Sequence, residues 1–249
     1  MSHRLITATL LLVGSGAAFA TGAPFYGYAY DLASGKYLYT EIHEPKIENG
    51  KEVSSTQTYY SPDGVLLGRK TLDYRNDPFV PLYRLDLSKE GYSEGVSANG
   101  DRIEMFKVDG KGKAEKRKSI KKEAGMAADS GFDHIIQAQL PTLLAGKPVS
   151  FRFAVAGELD SFRFRITKVG EGSFEGKPAV KLLVQADSLL RYIAPDLSLL
   201  YDADNKRLLE YRGVSNIHDP ATGEAYNTRI VYFSKPPPDA PKLPPLPAS

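Results

Sequence analysis

The side chains with most chemical potential in this sequence are His43, His134 and His218, together with the cluster Ser130, Asp133 and His134. A zinc centre needs three or four converging N, O or S ligands, and no H-x-x-x-H or H-E-x-x-H spacing supplies them. Ser130, Asp133 and His134 would share one side of a helix, but a serine at a helix start gives its Oγ to backbone donors. Adjacent residues also cannot pass a proton along a line as a catalytic triad does. No serine stands in a G-x-S-x-G elbow, and neither a phosphate-binding loop nor a dinucleotide fingerprint is present. The Asp and Glu residues gather in turns, so no pair can be assigned across a glycosidase cleft. The expectation is a protein with no catalytic residue, no metal and no cofactor; a hydrolase of unfamiliar geometry depending on His134 is a third reading.

The chain contains no cysteine, which excludes disulfides, thiolate metal sites, a cysteine nucleophile and a lipid anchor on an N-terminal Cys. Lys plus Arg number 32 and Asp plus Glu 30, so no global charge draws the protein to nucleic acid or to a membrane. Charge is concentrated once, in residues 111–122, where Lys116, Arg117, Lys118, Lys121 and Lys122 follow Lys111 and Lys113 with only Glu115 between. Such a stretch is a solvated loop or an edge strand guarded by lysines, or else a contact for anionic lipid headgroups or an acidic envelope partner. It holds no aromatic residue for base stacking, which argues against nucleic acid.

The elements that must carry these groups are mostly strands. Between residues 150 and 211 apolar and polar residues alternate: Phe162, Phe164 and Ile166 fall on one face, Ser161, Arg163 and Arg165 on the other. Phe151, Phe153 and Val155 repeat the pattern upstream, and Val180, Leu182 and Val184 downstream. In residues 36–43, Tyr37, Tyr39 and Glu41 share one side. Asn49-Gly50, Ser61-Pro62-Asp63-Gly64 and Asn99-Gly100-Asp101 are turn signals that link these strands into a meander. Turns are also expected at 157–160, 170–178, 202–205 and 219–223, and strands at 206–212 and 214–218. Residues 187–200 fit a short helix before Pro195 and a strand after it.

One amphipathic helix is expected over residues 130–145, with Phe132, Ile135, Ile136, Leu140, Leu143 and Leu144 on a single stripe. Ser130 is placed as its N-cap, Pro141 should kink or split it, and Gly146 should end it. The length suits one core. The fold class that follows is mainly β (α+β): a single strongly curved antiparallel sheet, a half-barrel or β-clam, with the helix packed on its concave face.

Residues 1–20 read as a secretory signal: Arg4 supplies the positive start, residues 5–13 the apolar stretch, and Ala18-Phe19-Ala20 the cleavage site. A single β-rich domain over 21–233 and a Pro-rich tail over 234–249 complete the organisation, and the location expected is the periplasm. G-K-Y-L-Y-T-E at 35–41, G-F-D-H-I-I at 131–136 and Y-D-A-D-N-K-R-L-L-E-Y-R-G-V-S-N at 201–216 resemble a group of exported proteobacterial proteins without an assigned function. The order of meander, helix and long antiparallel run is similar, as architecture, to the half-open barrels of periplasmic lipoprotein-localisation carriers. That resemblance implies an apolar cavity between sheet and helix.

Two readings of the apolar face follow. In the first, Phe151, Phe153, Phe162, Phe164 and Ile166 of the sheet and Ile135, Ile136, Leu140 and Leu143 of the helix enclose a hydrophobic or amphipathic small molecule or lipid. In the second, these groups fill one another, and the protein is an envelope interaction module using the basic segment and the tail.

Overall fold

The computed structural model describes residues 22–187, 196–238 and 240. The expected signal sequence, the helical option before Pro195 and the last nine residues of the tail lie outside them.

Eight strands form the first meander: β1 (Phe25–Asp31), β2 (Tyr37–Glu48), β3 (Lys51–Tyr60), β4 (Leu66–Asp73), β5 (Leu82–Leu87), β6 (Tyr92–Asn99), β7 (Arg102–Asp109) and β8 (Lys116–Lys121). A short strand β9 (Met126–Ala128) leads into helix α1 (Gly131–Leu144). The second meander is β10 (Val149–Val155), β11 (Asp160–Phe174), β12 (Lys177–Ala186), β13 (Leu197–Asp202), β14 (Arg207–His218) and β15 (Ala225–Val231). All fifteen belong to one sheet, in the order β8 to β1, then β15 down to β9. The two meanders are joined through the antiparallel pair β1 and β15.

That order fixes the shape. β8 and β9 sit at opposite edges of the sheet, yet only residues 122–125 separate them in the chain. Five Cα steps reach at most ~18 Å. A flat sheet of this many strands would be about 67 Å wide at about 4.8 Å per strand. The sheet must therefore curl until its edges nearly meet. Lys118 of β8 spans the seam to Asp160 at 3.1 Å, and Lys107 Nζ donates to the Gly157 carbonyl at 2.7 Å.

Most sequence expectations of turn and strand are met. Asn49 and Gly50 both take positive φ (52° and 72°) and close the β2–β3 hairpin, as a tight primed turn requires. The strands around the expected turn at 170–178 run further: β11 and β12 pair up to Phe174 and Lys177, and the turn proper is Glu175-Gly176. Residues 206–212 and 214–218 form one strand instead of two, because β14 passes through Gly213 while still paired to β15. The sheet is also not wholly antiparallel. β9 and β10 run parallel, since the chain between them returns through α1.

The helix differs in two details. Pro141 lies inside α1, which runs unbroken from Gly131 to Leu144. Ser130 makes no capping hydrogen bond to the helix backbone; its Oγ donates to Asp129 Oδ1 at 2.8 Å instead. Gly146, at φ 77°, ends the helix as expected, and its amide donates to the Leu143 carbonyl.

The helix stripe packs on the inner face of the second meander. Ile135, Ile136, Leu140 and Leu143 join Phe151, Ile166, Val180, Leu182, Val184, Leu199 and Tyr201 in one buried cluster. Arg163 and Arg165 lie on the opposite, solvent-facing side of β11. This is the mainly β fold with a helix on the concave face that the alternation implied. Among the described residues no helix is long and apolar enough to cross a membrane.

Candidate functional site

The helix covers only part of the concave face. Beside it lies a half-open space of about 1110 Å³, lined by residues of both meanders and by the start of α1. Its two sides are chemically unlike. Phe132, Phe153 and Phe164 supply an aromatic wall, with Phe153 and Phe164 edge to face at 6.3 Å between ring centres. The first meander supplies a polar wall.

The polar wall follows from strand register. Directly opposite pairs run His43 to Gln57, Gln57 to Lys70, Lys70 to Leu85, and Leu85 to Glu94. Opposite residues in adjacent strands share a face, so these side chains form one inward row across β2 to β6. Glu41, two residues before His43, points the same way and faces Gly27 of β1. A Cβ on Gly27 would come within 2.6 Å of Glu41 Oε1, so this glycine is what gives the carboxylate its place.

At the centre, Lys70 Nζ donates to both oxygens of Asp129 at 2.9 Å, and both side chains are almost completely buried. Asp129 takes further hydrogen bonds from the Ser130 amide and hydroxyl and from Asn216 Nδ2. It adopts positive φ (43°), which Asp tolerates better than most residues. Gln57 Nε2 donates to Ser130 Oγ at 3.3 Å and its Oε1 accepts from Tyr59 at 2.9 Å. Six side chains, from β3, β4, β14 and the turn between β9 and α1, are thus locked into one network beneath the helix start.

Two groups of charge flank this centre. On one side Glu41 Oε1 accepts the Tyr232 hydroxyl at 2.8 Å, and Oε2 lies 3.6 Å from His43 Nε2, too far for a hydrogen bond. Burial opposes ionisation of Glu41, but His43 and Tyr232 outweigh it and hold the carboxyl below its ordinary value. On the other side stand Glu52, Asp133 and His134. Burial and the nearby Asp133 charge push Glu52 from 4.5 up to about 7, and burial raises Asp133 and lowers His134. Glu94, near the Lys70 end, is also raised by burial and accepts from Tyr92 at 2.6 Å.

The sequence candidates divide on this geometry. Of the nine residues expected to face a ligand, Phe153 and Phe164 line the space. Ile135, Ile136, Leu140, Leu143, Phe151 and Ile166 are engaged with one another between helix and sheet, and Phe162 is half-buried outside the lining. Ser130, Asp133 and His134 are close in space but differently employed. Ser130 serves Asp129; Asp133 accepts from Tyr201 and from Gln137; His134 packs its ring 4.7 Å from Tyr74 and faces Glu52 at 3.8 Å. Among the described residues no group of three or more His, Asp or Glu side chains is placed to hold a metal.

The basic segment is an edge strand. β8 pairs only with β7, and Lys116, Arg117, Lys118 and Lys122 face Asp109, Glu115, Asp160 and Asp77 respectively. Lys121 is exposed at its end. The lysines guard the edge, and most of their charge is balanced locally.

Sequence reasoning missed Glu41, Gln57, Lys70, Glu94 and Asp129. The signal was a polar residue at a strand position whose neighbours two away are apolar or aromatic, as in Tyr39-x-Glu41 and Lys70-x-Leu72.

The architecture has a solved counterpart. The fold is similar to the crystal structure of a β-barrel-like protein of domain of unknown function DUF1849 from Brucella abortus, with a TM-score of 0.50 over 85% of this chain and 98% of that chain, at 8% identity. At that identity the likeness concerns the fold alone. No protein-family model and no curated protein matches the chain.

Proposed function

We propose that this protein is a non-enzymatic binder of an amphipathic small molecule or lipid, held in the interior space and exported from the cytoplasm by residues 1–20. The observation that carries this reading is the split lining: about 1110 Å³ with Phe132, Phe153 and Phe164 on one side and the His43, Gln57, Lys70 and Glu94 row on the other. Ligand sites of small-molecule binders are concave spaces of roughly 300–1,000 Å³, mostly apolar, with a few placed polar groups. A purely structural interior of this size would be expected to close on itself, because voids forfeit packing contacts. Here the row of polar groups resists closure, since collapse would press them against phenyl rings that offer no hydrogen bond.

The test is a titration with a fluorescent fatty-acid probe that brightens in apolar surroundings. Saturable binding is expected, and Phe164→Asp, which places a charge on the aromatic wall, should abolish it while the circular dichroism of the sheet is retained. Failure of the parent protein to bind ends the reading.

A further inference from the structure

One end of the interior space has a composition of its own. Glu41, buried to 5% exposure, is surrounded by Phe25, Tyr39, His43, Tyr59 and Tyr232. These rings pack on one another: Phe25 stacks on His43 with centres 4.5 Å apart, Tyr232 meets both edge on at 6.0 and 5.8 Å, and Tyr39 meets Tyr59 at 6.2 Å. Burial and the Glu41 charge keep the Tyr39, Tyr59 and Tyr232 hydroxyls protonated. All six residues line the same space as the phenylalanine wall.

One buried atom in this chamber has no partner. His43 Nε2 is buried and has no hydrogen-bond partner, and His43 as a whole is 8% exposed. Glu41 Oε2 faces it at 3.6 Å. A buried polar atom left unpaired carries a desolvation cost of roughly 1–3 kcal/mol, so such atoms in a cavity lining point to something that completes them. Lys70 is taken up by both oxygens of Asp129.

We propose that this chamber binds the protonated primary amine head of an amphipathic molecule. An ammonium group has three N–H donors; one takes over from His43 at Glu41 Oε2, one reaches His43 Nε2 in the tautomer that carries its proton on Nδ1, and the surrounding aromatic rings stabilise the remaining charge. A carboxylate head would meet Glu41 with like charge, and a trimethylammonium head has no N–H for His43. The proposal rests on the reading of the interior as a ligand cavity, and it adds the chemistry of the ligand's polar end.

Calorimetric titration of the full chain with dodecylamine, dodecanol, dodecanoate and dodecyltrimethylammonium, each below its micelle concentration, separates the two. On the unaltered protein dodecylamine should bind about tenfold or more tighter than dodecanol, with dodecanoate weakest, because a charge-assisted bond and a cation–π contact are gained. Glu41→Gln should bring dodecylamine down to the affinity of dodecanol while dodecanol itself is unaffected, which also shows that the variant is folded. Tyr232→Phe should weaken the amine less. Equal affinity for amine and alcohol on the unaltered protein overturns the head-group assignment and leaves the cavity reading standing. Binding by none of the four compounds overturns both. Tighter binding of trimethylammonium than of primary amine overturns the role given to His43.

Discussion

Inward side chains of β10 to β13 meet the stripe of α1 in an unbroken apolar contact, whereas those of β2 to β6 place His43, Gln57, Lys70 and Glu94 in a row with Leu85. Both regions are antiparallel sheet with alternating faces, and both look into the same interior. The first is filled, because branched aliphatic and aromatic groups interdigitate to the density of an organic solid. The second stays apart from its neighbours, because each charge needs a specific partner at a specific distance and the ion pair Lys70–Asp129 fixes that distance. A curved sheet thus becomes a core or a container according to which residues occupy the inward parity.

This contrast is most easily broken at Lys70. Lys70→Met leaves Asp129 buried without its counter-ion and should cost about 3–5 kcal/mol in urea unfolding. Adding Asp129→Asn to that variant should restore most of the loss; if the single variant costs less than about 1 kcal/mol, the pair is hydrated and the polar wall is not closed to water.

In the filled region Leu140, 1% exposed, is the matching target. Leu140→Ala should cost about 2–5 kcal/mol through lost burial and a cavity, and should leave the affinity of a fatty-acid probe unchanged. A parallel loss of probe binding would mean that helix core and ligand space are one compartment.

A smaller effect sharpens the comparison through pH. Glu52 is raised from 4.5 to about 7, so the folded protein holds this proton more tightly than the unfolded chain. Its stabilisation is complete below pH 4.5 and is lost as pH rises through about 7. Glu52→Gln should flatten that slope and, at about pH 8, make the protein more stable by on the order of 1 kcal/mol. Melting temperatures across this range check it; an unchanged slope would place the titration elsewhere, with Asp133 the next group raised in the same sense.

Much of the fold was legible in the sequence because its signals are local. Period-two alternation around Phe162, Phe164 and Ile166 set the inner face of β11, Asn49-Gly50 closed a hairpin, and the spacing of Ile136, Leu140 and Leu143 marked the helix face. The departures are where a distant partner decided. Ser130 donates to the neighbouring Asp129 instead of capping the helix, and that carboxylate is held by Lys70, far away in sequence. The apolar candidates proved to be mostly helix contacts because α1 settles over β10 to β13 and leaves Phe153 and Phe164 at its margin.

By itself the sequence determined the class of secondary structure, the faces of the strands and the single helix, since each depends on neighbours within a few residues. Only the tertiary structure decided that the edges of the sheet meet, that Glu41, Lys70 and Asp129 share an interior, and that space remains beside the helix. The physical reason is that charge pairing and cavity volume depend on distances between segments remote in the chain, and these are set by the closing of the whole sheet.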